Sequence, residues 1–142
     1  MKKLIFPVIG VFLLLFAGFH PRPKNLPESI VEVRGGAWPI NLERNADGVG
    51  TYSLIYRNQE VMSGESLDTL TFPNLQQLKY FAVGLDTLKK GHNGDNLNYK
   101  DFTLSRADKK FQGVWYLLRY QFGSTSFQQP EADIMGKTIK GL

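Results

Sequence analysis

The chain has no cysteine and only two histidines, His20 and His92, among its 142 residues. The missing cysteine excludes disulfide bonds, thiol nucleophiles, thiolate metal ligands and a lipid-modified cysteine. With two histidines, a histidine-based triad or a multi-histidine metal site is not expected. No glycine-rich phosphate loop lies between a strand and a helix. These absences predict no metal and no cofactor, and they favour a non-catalytic protein over an enzyme.

Charged residues are also absent from Leu4 to Phe19, which follow the basic start Met1-Lys2-Lys3. A basic end before an apolar run is typical of a secretory signal peptide. As a helix the run would cover about 24 Å, which is short for a bilayer core of about 30 Å. No small-x-small cleavage site follows, since a cut after Ala17 places Leu15 third from it. Residues 1–19 are therefore predicted to be a signal peptide or an uncleaved N-terminal membrane anchor.

Either alternative places the protein outside the cytoplasm, as a periplasmic or secreted protein or one anchored to a membrane. The sequence pI is about 9.3. Lys2 and Lys3 account for two of the 17 basic residues, which leaves 15 against 13 acidic ones. This near balance and the compartment argue against nucleic acid as a partner. The expected partner is an envelope protein or a glycan, with membrane contact only through residues 1–19 if they remain uncleaved.

Beyond residue 19 the pattern predicts a proline-rich linker over residues 20–29 and one domain over residues 30–142. Apolar and polar residues alternate along Tyr52–Arg57 and Val114–Phe122, as in strands. Prolines at 73 and 130 are each predicted to open a helix. In the first helix one face carries an apolar stripe, formed by Leu75, Leu78, Ala82, Leu85 and Leu88. The predicted fold class is α+β, with a mainly antiparallel sheet and two helices packed on one face.

Two stretches, residues 38–91 and 99–142, resemble each other. Leu42-x-Arg44 matches Leu104-x-Arg106, and Tyr52-x-Leu54-x-Tyr56 matches Tyr116-x-Leu118-x-Tyr120. Each stretch then reads as strands followed by a helix that begins at a proline. The pattern indicates two duplicated strand-strand-helix halves. Coincidence is the alternative, because tyrosine and leucine alternate in many strands.

The alternating strands also predict a contact surface. If Tyr52, Tyr56, Tyr116 and Tyr120 share the core face with Leu54 and Leu118, the intervening residues face outward. The outward set that we expect to bind a ligand or partner is Ile55, Arg57, Trp115, Leu117 and Arg119. Aromatic and arginine side chains are favoured in such contacts. The leading hypothesis is thus an uncharacterised exported or membrane-anchored envelope protein that acts as a non-catalytic interaction or ligand-binding module.

An alternative site is the loop at residues 91–101, with His92 and Asp95 as its candidate residues. It would make the protein a small extracytoplasmic hydrolase or a cation or ligand binder. A calcium loop needs oxygen ligands at alternate positions and a glycine at its turn, whereas here Gly94 precedes Asp95 and Leu97 occupies the second ligand position. Glycine, asparagine and aspartate are also common in loops for their turn geometry alone.

Overall fold

The computed structural model describes residues 26–35, 38–60, 66–121 and 123–142. The elements in chain order are β1 (Glu28–Gly35), β2 (Trp38–Arg44), β3 (Tyr52–Arg57), β4 (Leu67–Phe72), α1 (Leu75–Lys89), β5 (Asn96–Asn98), β6 (Phe102–Lys109), β7 (Gly113–Tyr120), β8 (Gly123–Gln128) and α2 (Gln129–Lys140). The predicted signal or anchor at residues 1–19 lies outside the described residues. The first part of the predicted linker, residues 20–25, lies outside them as well. Strand β1 begins at Glu28, inside the stretch assigned to the linker.

The predicted α+β class with mainly antiparallel strands is confirmed. The strands form two sheets where the sequence predicted one. The first sheet has the order β1-β2-β3-β4 and the second the order β5-β6-β7-β8, so neighbours in each sheet are neighbours in sequence. Every pairing is antiparallel. A helix follows each sheet along the chain.

Each helix packs against the sheet of the other half as well as its own. Helix α1 contacts α2, β4 and β6, whereas α2 contacts β1, β7 and β8. Lys89 of α1 pairs with Asp133 of α2 at 2.8 Å, and Asp86 of α1 pairs with Lys140. These pairs show that the two helices run in opposite directions past each other. Both sheets and both helices therefore share one hydrophobic core.

Helix α1 buries the predicted stripe. Four of its members, Leu78, Ala82, Leu85 and Leu88, are buried, and so is Phe81. The prediction that Pro73 opens the helix is wrong by two residues. Asn74 is the N-cap, and its side chain accepts a hydrogen bond from the Gln77 amide at 2.9 Å, which satisfies a backbone donor that the helix cannot. Pro130, in contrast, lies in the first turn of α2, as predicted.

The core interpretation of the strand tyrosines is confirmed for Tyr52, Tyr56 and Tyr116, which are buried, while Tyr120 is half-buried. The sequence matches between the halves fall on corresponding strands. Arg44 of β2 lies opposite Tyr52 of β3, and Arg106 of β6 lies opposite Tyr116 of β7. The strand β5 was not predicted, since three residues are too few for a periodic pattern. A duplication of the halves stays a prediction.

Candidate functional site

The strand register places the predicted contact residues on the faces of the sheets that point away from the core, which we call the outer faces. In β7, Trp115, Leu117 and Arg119 alternate with the core residues Tyr116 and Leu118. We refer to Trp115, Leu117 and Arg119 as the β7 column. Its neighbours across the strands are small or polar, namely Thr103, Ser105 and Ala107 of β6 and Ser124, Ser126 and Gln128 of β8. The column therefore forms a row of larger side chains with only small or polar residues beside it.

Ile55 and Arg57 lie on the outer face of the first sheet, so the five predicted residues are divided between two sheets. Ile55 sits between Asn41 and Thr69 on the adjacent strands. The two outer faces meet where the chain leaves β3. There the Gln59 amide donates to the Ser124 carbonyl at 2.8 Å, and the Ser126 hydroxyl donates to Gln59 Oε1 at 3.1 Å. Strand β8 thus separates the β7 column from the end of β3.

Trp115 is held in place and is not freely exposed. Its side chain is half-buried, and Lys109 Nζ lies 4.2 Å from the centre of its ring, a cation–π contact. The indole Nε1 is buried and has no hydrogen-bond partner in the described part of the chain. Leu117 and Ile55 are half-buried as well. The outer apolar patch that the sequence predicted is therefore smaller than three fully exposed side chains would make it.

A cavity of about 550 Å³ opens where the edge of the first sheet meets one end of the second. Its walls include β4, the turn between β5 and β6, and the end of β7. The described residues that line it are Leu70, Thr71, Tyr99, Lys100, Asp101, Phe102, Thr103, Arg119, Tyr120 and Gln121. Arg119 is thus both the last member of the β7 column and part of the cavity wall. We call this space the junction cavity.

The aromatic wall of the junction cavity is fixed by stacking. The rings of Tyr99 and Phe102 are parallel to within 13° with their centres 4.3 Å apart, and Phe102 makes edge contacts with Phe72 and Phe81 in the core. The Tyr99 hydroxyl donates to the Tyr80 carbonyl at 3.2 Å. Burial raises the pKa of Tyr99, so its hydroxyl stays neutral at physiological pH.

The charged groups of the junction cavity are Lys100, Asp101 and Arg119. Lys100 and Arg119 are exposed, and neither forms an ion pair with a carboxylate of the described residues. Thr71 and Thr103 add hydroxyl groups, of which the Thr103 hydroxyl donates to Asn98 Oδ1 at 3.0 Å. Two unpaired cations with hydroxyls beside a flat aromatic wall can bind a ligand that has an anionic group.

The alternative loop site is divided by the structure. Lys100 and Asp101 line the junction cavity, whereas His92 and Asp95 are not among its lining residues. The Asp95 carboxylate accepts a hydrogen bond from the His92 amide at 2.7 Å and occupies the space that a Cβ at position 91 would need. Asp95 and Gly94 also exchange backbone hydrogen bonds with Arg106. The Asp95 side chain thus closes the turn that follows α1, a common role for aspartate in turns.

Arg106 joins this turn to the end of α1 through contacts that no sequence pattern predicts. Its Nη1 donates to the carbonyls of Leu88, Lys89 and Gly91 at 2.7–2.9 Å, and so it neutralises the C-terminal end of α1. Nε and Nη2 donate to the Asp108 carboxylate at 2.7 and 3.2 Å. These contacts form because β6 packs against α1, a helix that belongs to the other half of the chain. Such long-range packing leaves no local pattern in the sequence.

Within the described ranges, no group of three or more histidine, aspartate or glutamate residues is arranged to hold a metal ion. None of the helices built from those residues combines the length and the apolar character needed to span a bilayer. Comparison with known proteins gives no match to a family model, a curated protein or a solved structure.

Proposed function

We propose that this protein is an exported or membrane-anchored, non-catalytic binding module that holds an envelope protein or a glycan against the second sheet. The observation that carries the proposal is the position of Arg119. It joins the outer β7 column to the junction cavity, so a ligand that enters the cavity can continue across Leu117 and Trp115. The proposed ligand has an anionic group, which meets Arg119 and Lys100.

The chemistry of the cavity favours binding over catalysis. Its described lining residues include no histidine, and their ionisable side chains are Lys100, Asp101, Arg119, Tyr99 and Tyr120. General acid–base catalysis at neutral pH is most effective with a group that titrates near that pH, yet burial moves the pKa of Tyr99 upward, away from neutrality. A flat aromatic wall with hydroxyls and cations is, in contrast, suited to sugar rings and acidic groups.

Recovery of partners from an envelope extract tests the proposal. We expect the immobilised full chain to enrich a partner, and Trp115→Ala and Arg119→Gln to reduce its recovery about tenfold. Ile134→Ala is the matched control, because Ile134 is 51% exposed on α2 and lies outside the proposed surface. Added salt should weaken the wild-type interaction more than that of Arg119→Gln. Unchanged recovery of every partner in both variants would count against the proposal.

A second candidate is a small-ligand or cation binder that uses the loop at residues 91–101. It is favoured by Lys100 and Asp101, which bring that loop into the junction cavity. If it is correct, Asp101→Asn should abolish chemical-shift changes that calcium or a small cation causes in the protein's NMR spectrum. His92→Ala should leave them intact. A spectrum of the wild type that does not respond to these cations would rule out cation binding by this loop.

The location of the protein is a separate proposal that rests on residues 1–19. Mass spectrometry of the mature N-terminus, together with fractionation of the producing cells, tests it. Loss of residues 1–19 and recovery outside the cytoplasm would support a cleaved signal, and an intact Met1 in the membrane fraction would support an anchor. A full-length protein in the cytoplasm would contradict both.

A further inference from the structure

The turn between β6 and β7 has a backbone that its sequence does not favour. The Gln112 amide donates to the Lys109 carbonyl at 3.0 Å, which closes a four-residue turn. The third residue of that turn, Phe111, has a φ of 74°, the pattern of a type II turn, where glycine or asparagine is preferred. Phe111 is the one non-glycine residue with positive φ in the described part of the chain. A bulky residue there strains the backbone.

Phe111 gains no packing in return for this strain. It is 95% exposed, more than any other large apolar residue described. Its ring is approached by Lys110, whose Nζ lies 5.4 Å from the ring centre, a distance at which a cation over an aromatic face is attracted to it. We expect glycine at this position to make the fold more stable, because glycine adopts a positive φ without steric strain. A strained and exposed aromatic residue is therefore a sign of function.

The surroundings of Phe111 indicate what it contacts. Residues 109–112, which we call the hairpin tip, contain Lys109 and Lys110 and no acidic residue. The nearest carboxylate in sequence, that of Asp108, is already paired with Arg106. An exposed apolar ring beside the Lys110 amine matches the interface of a bilayer with anionic lipids, where the ring enters the headgroup layer and the amine meets phosphates.

The turn between β2 and β3 provides an internal comparison. It too exposes an apolar residue, Val49, which is 77% exposed. However, its neighbour Asp47 is acidic and accepts hydrogen bonds from the Val49 and Gly50 amides at 2.9 and 3.1 Å. The positive φ values in this turn belong to glycines, so its backbone is relaxed. Of these two turns, the hairpin tip is the one that combines strain, an exposed ring and positive charge.

We propose that the hairpin tip docks on an anionic lipid surface, with Phe111 inserted at the interface and the Lys110 amine against phosphate groups. This contact is separate from the predicted N-terminal segment and from the junction cavity. If residues 1–19 hold the chain at a membrane, the tip adds a second point of attachment that fixes the orientation of the domain. The proposal does not depend on the ligand of the cavity.

Hydrogen–deuterium exchange of the full chain in lipid nanodiscs tests this inference, because it reports on the tip separately from the rest of the chain. We expect exchange at residues 109–113 to be slowed when the nanodiscs contain phosphatidylglycerol and not when they contain phosphatidylcholine alone. Phe111→Gly should lose this protection while making the folded state more resistant to urea, since the strain is removed. Loss of protection therefore cannot be ascribed to unfolding.

Two further variants complete the experiment. Lys110→Gln should lose part of the protection, and raised salt should have the same effect on the wild type. Val49→Ser, the matched control, should leave the protection at the tip unchanged. The proposal is overturned if the tip exchanges equally fast in both lipids, if Phe111→Gly keeps its protection, or if protection requires an added protein instead of the anionic lipid.

Discussion

At the scale of single residues, two fully buried tyrosines differ in what their hydroxyl groups contact. The Tyr116 hydroxyl donates to Gln129 Oε1 at 2.7 Å, whereas the Tyr56 hydroxyl has no hydrogen-bond partner among the residues described. Burial raises the pKa of both, and the nearby Asp68 carboxylate raises that of Tyr56 further. Both therefore stay protonated near neutral pH, and only one of them has an acceptor.

The unpartnered hydroxyl predicts substitutions with opposite effects. Tyr56→Phe should raise the free energy of unfolding by about 1 kcal/mol, because it removes a buried group that lost its water without gaining a bond. Tyr116→Phe should lower it by about the same amount. Urea denaturation of the two variants beside the wild type measures both. Equal destabilisation by the two substitutions would show that Tyr56 has an acceptor after all.

A second contrast concerns the arginines at the matched sequence positions 44 and 106. The side chain of Arg106 is 12% exposed and donates to three carbonyls at the end of α1. The side chain of Arg44 is 46% exposed, and its Nη1 lies 3.6 Å from Glu28 Oε2. We expect Arg106→Ala to lower the melting temperature by roughly 5–10 °C and Arg44→Ala by less than about 2 °C. Arg106→Lys should recover little, because lysine lacks the forked donors. Similar melting temperatures for the two alanine variants would contradict the capping role.

At the scale of elements, α1 passes so close to the β5–β6 turn that a methyl group does not fit. A Cβ at Gly84 would collide with the Tyr99 hydroxyl. Alanine normally stabilises a helix relative to glycine, but here it should displace Tyr99 from its stack on Phe102. We expect Gly84→Ala to cost about 1–3 kcal/mol of stability, measured by urea denaturation. Val83→Ala, at an exposed neighbouring position, should be nearly neutral.

The contact between the helices predicts a pH effect. The Lys89 ammonium donates to both oxygens of Asp133 at 2.8 and 2.9 Å, and this contact, with Gln129, lowers the pKa of Asp133 below its usual 3.8. A carboxyl whose pKa is lowered on folding stabilises the protein above its unfolded pKa, and this contribution disappears as the pH falls through the folded pKa. Both side chains are about half exposed, so the contribution is small.

Lys89→Met should therefore lower the free energy of unfolding at neutral pH by less than about 1 kcal/mol, and by less still near pH 3. Lys90→Met is the matched control. Lys90 lies at the same end of α1, so Lys90→Met removes the same positive charge from the C-terminal end of the helix dipole. The Asp133 contact is made by Lys89 and is left in place. Urea denaturation across this pH range compares the two. A difference between them that did not change with pH would exclude the Asp133 pair as its source.

At the scale of the whole molecule, the shared core predicts cooperative unfolding. Trp38 begins β2 in the first sheet and Trp115 lies in β7 of the second. We expect Trp38→Phe and Trp115→Phe, each with one remaining tryptophan, to show fluorescence transitions in urea that coincide with the loss of far-UV circular dichroism. Separate midpoints for the two sheets would mean that they unfold independently.

The sequence predicted what is periodic and missed what is formed across the fold. The buried stripe of α1 and the inward tyrosines follow from spacing alone, since each covers several turns or alternations. The start of α1 was misplaced because Asn74 competes with Pro73 as the first signal of the helix. The junction cavity could not be predicted, because Thr71, Lys100 and Arg119 are brought together by the packing of two sheets and not by any local spacing.

The contact between β1 and α2 joins the earliest strand of the described fold to its last helix. A chain synthesised or threaded from its N-terminus therefore cannot complete its core until residues up to Lys140 have emerged. Such long sequence separations slow folding. During that interval β1 lacks the helix against which it packs, so the core is incomplete. If the protein is exported, a core that closes only with its last helix favours passage through a translocation channel before folding is complete.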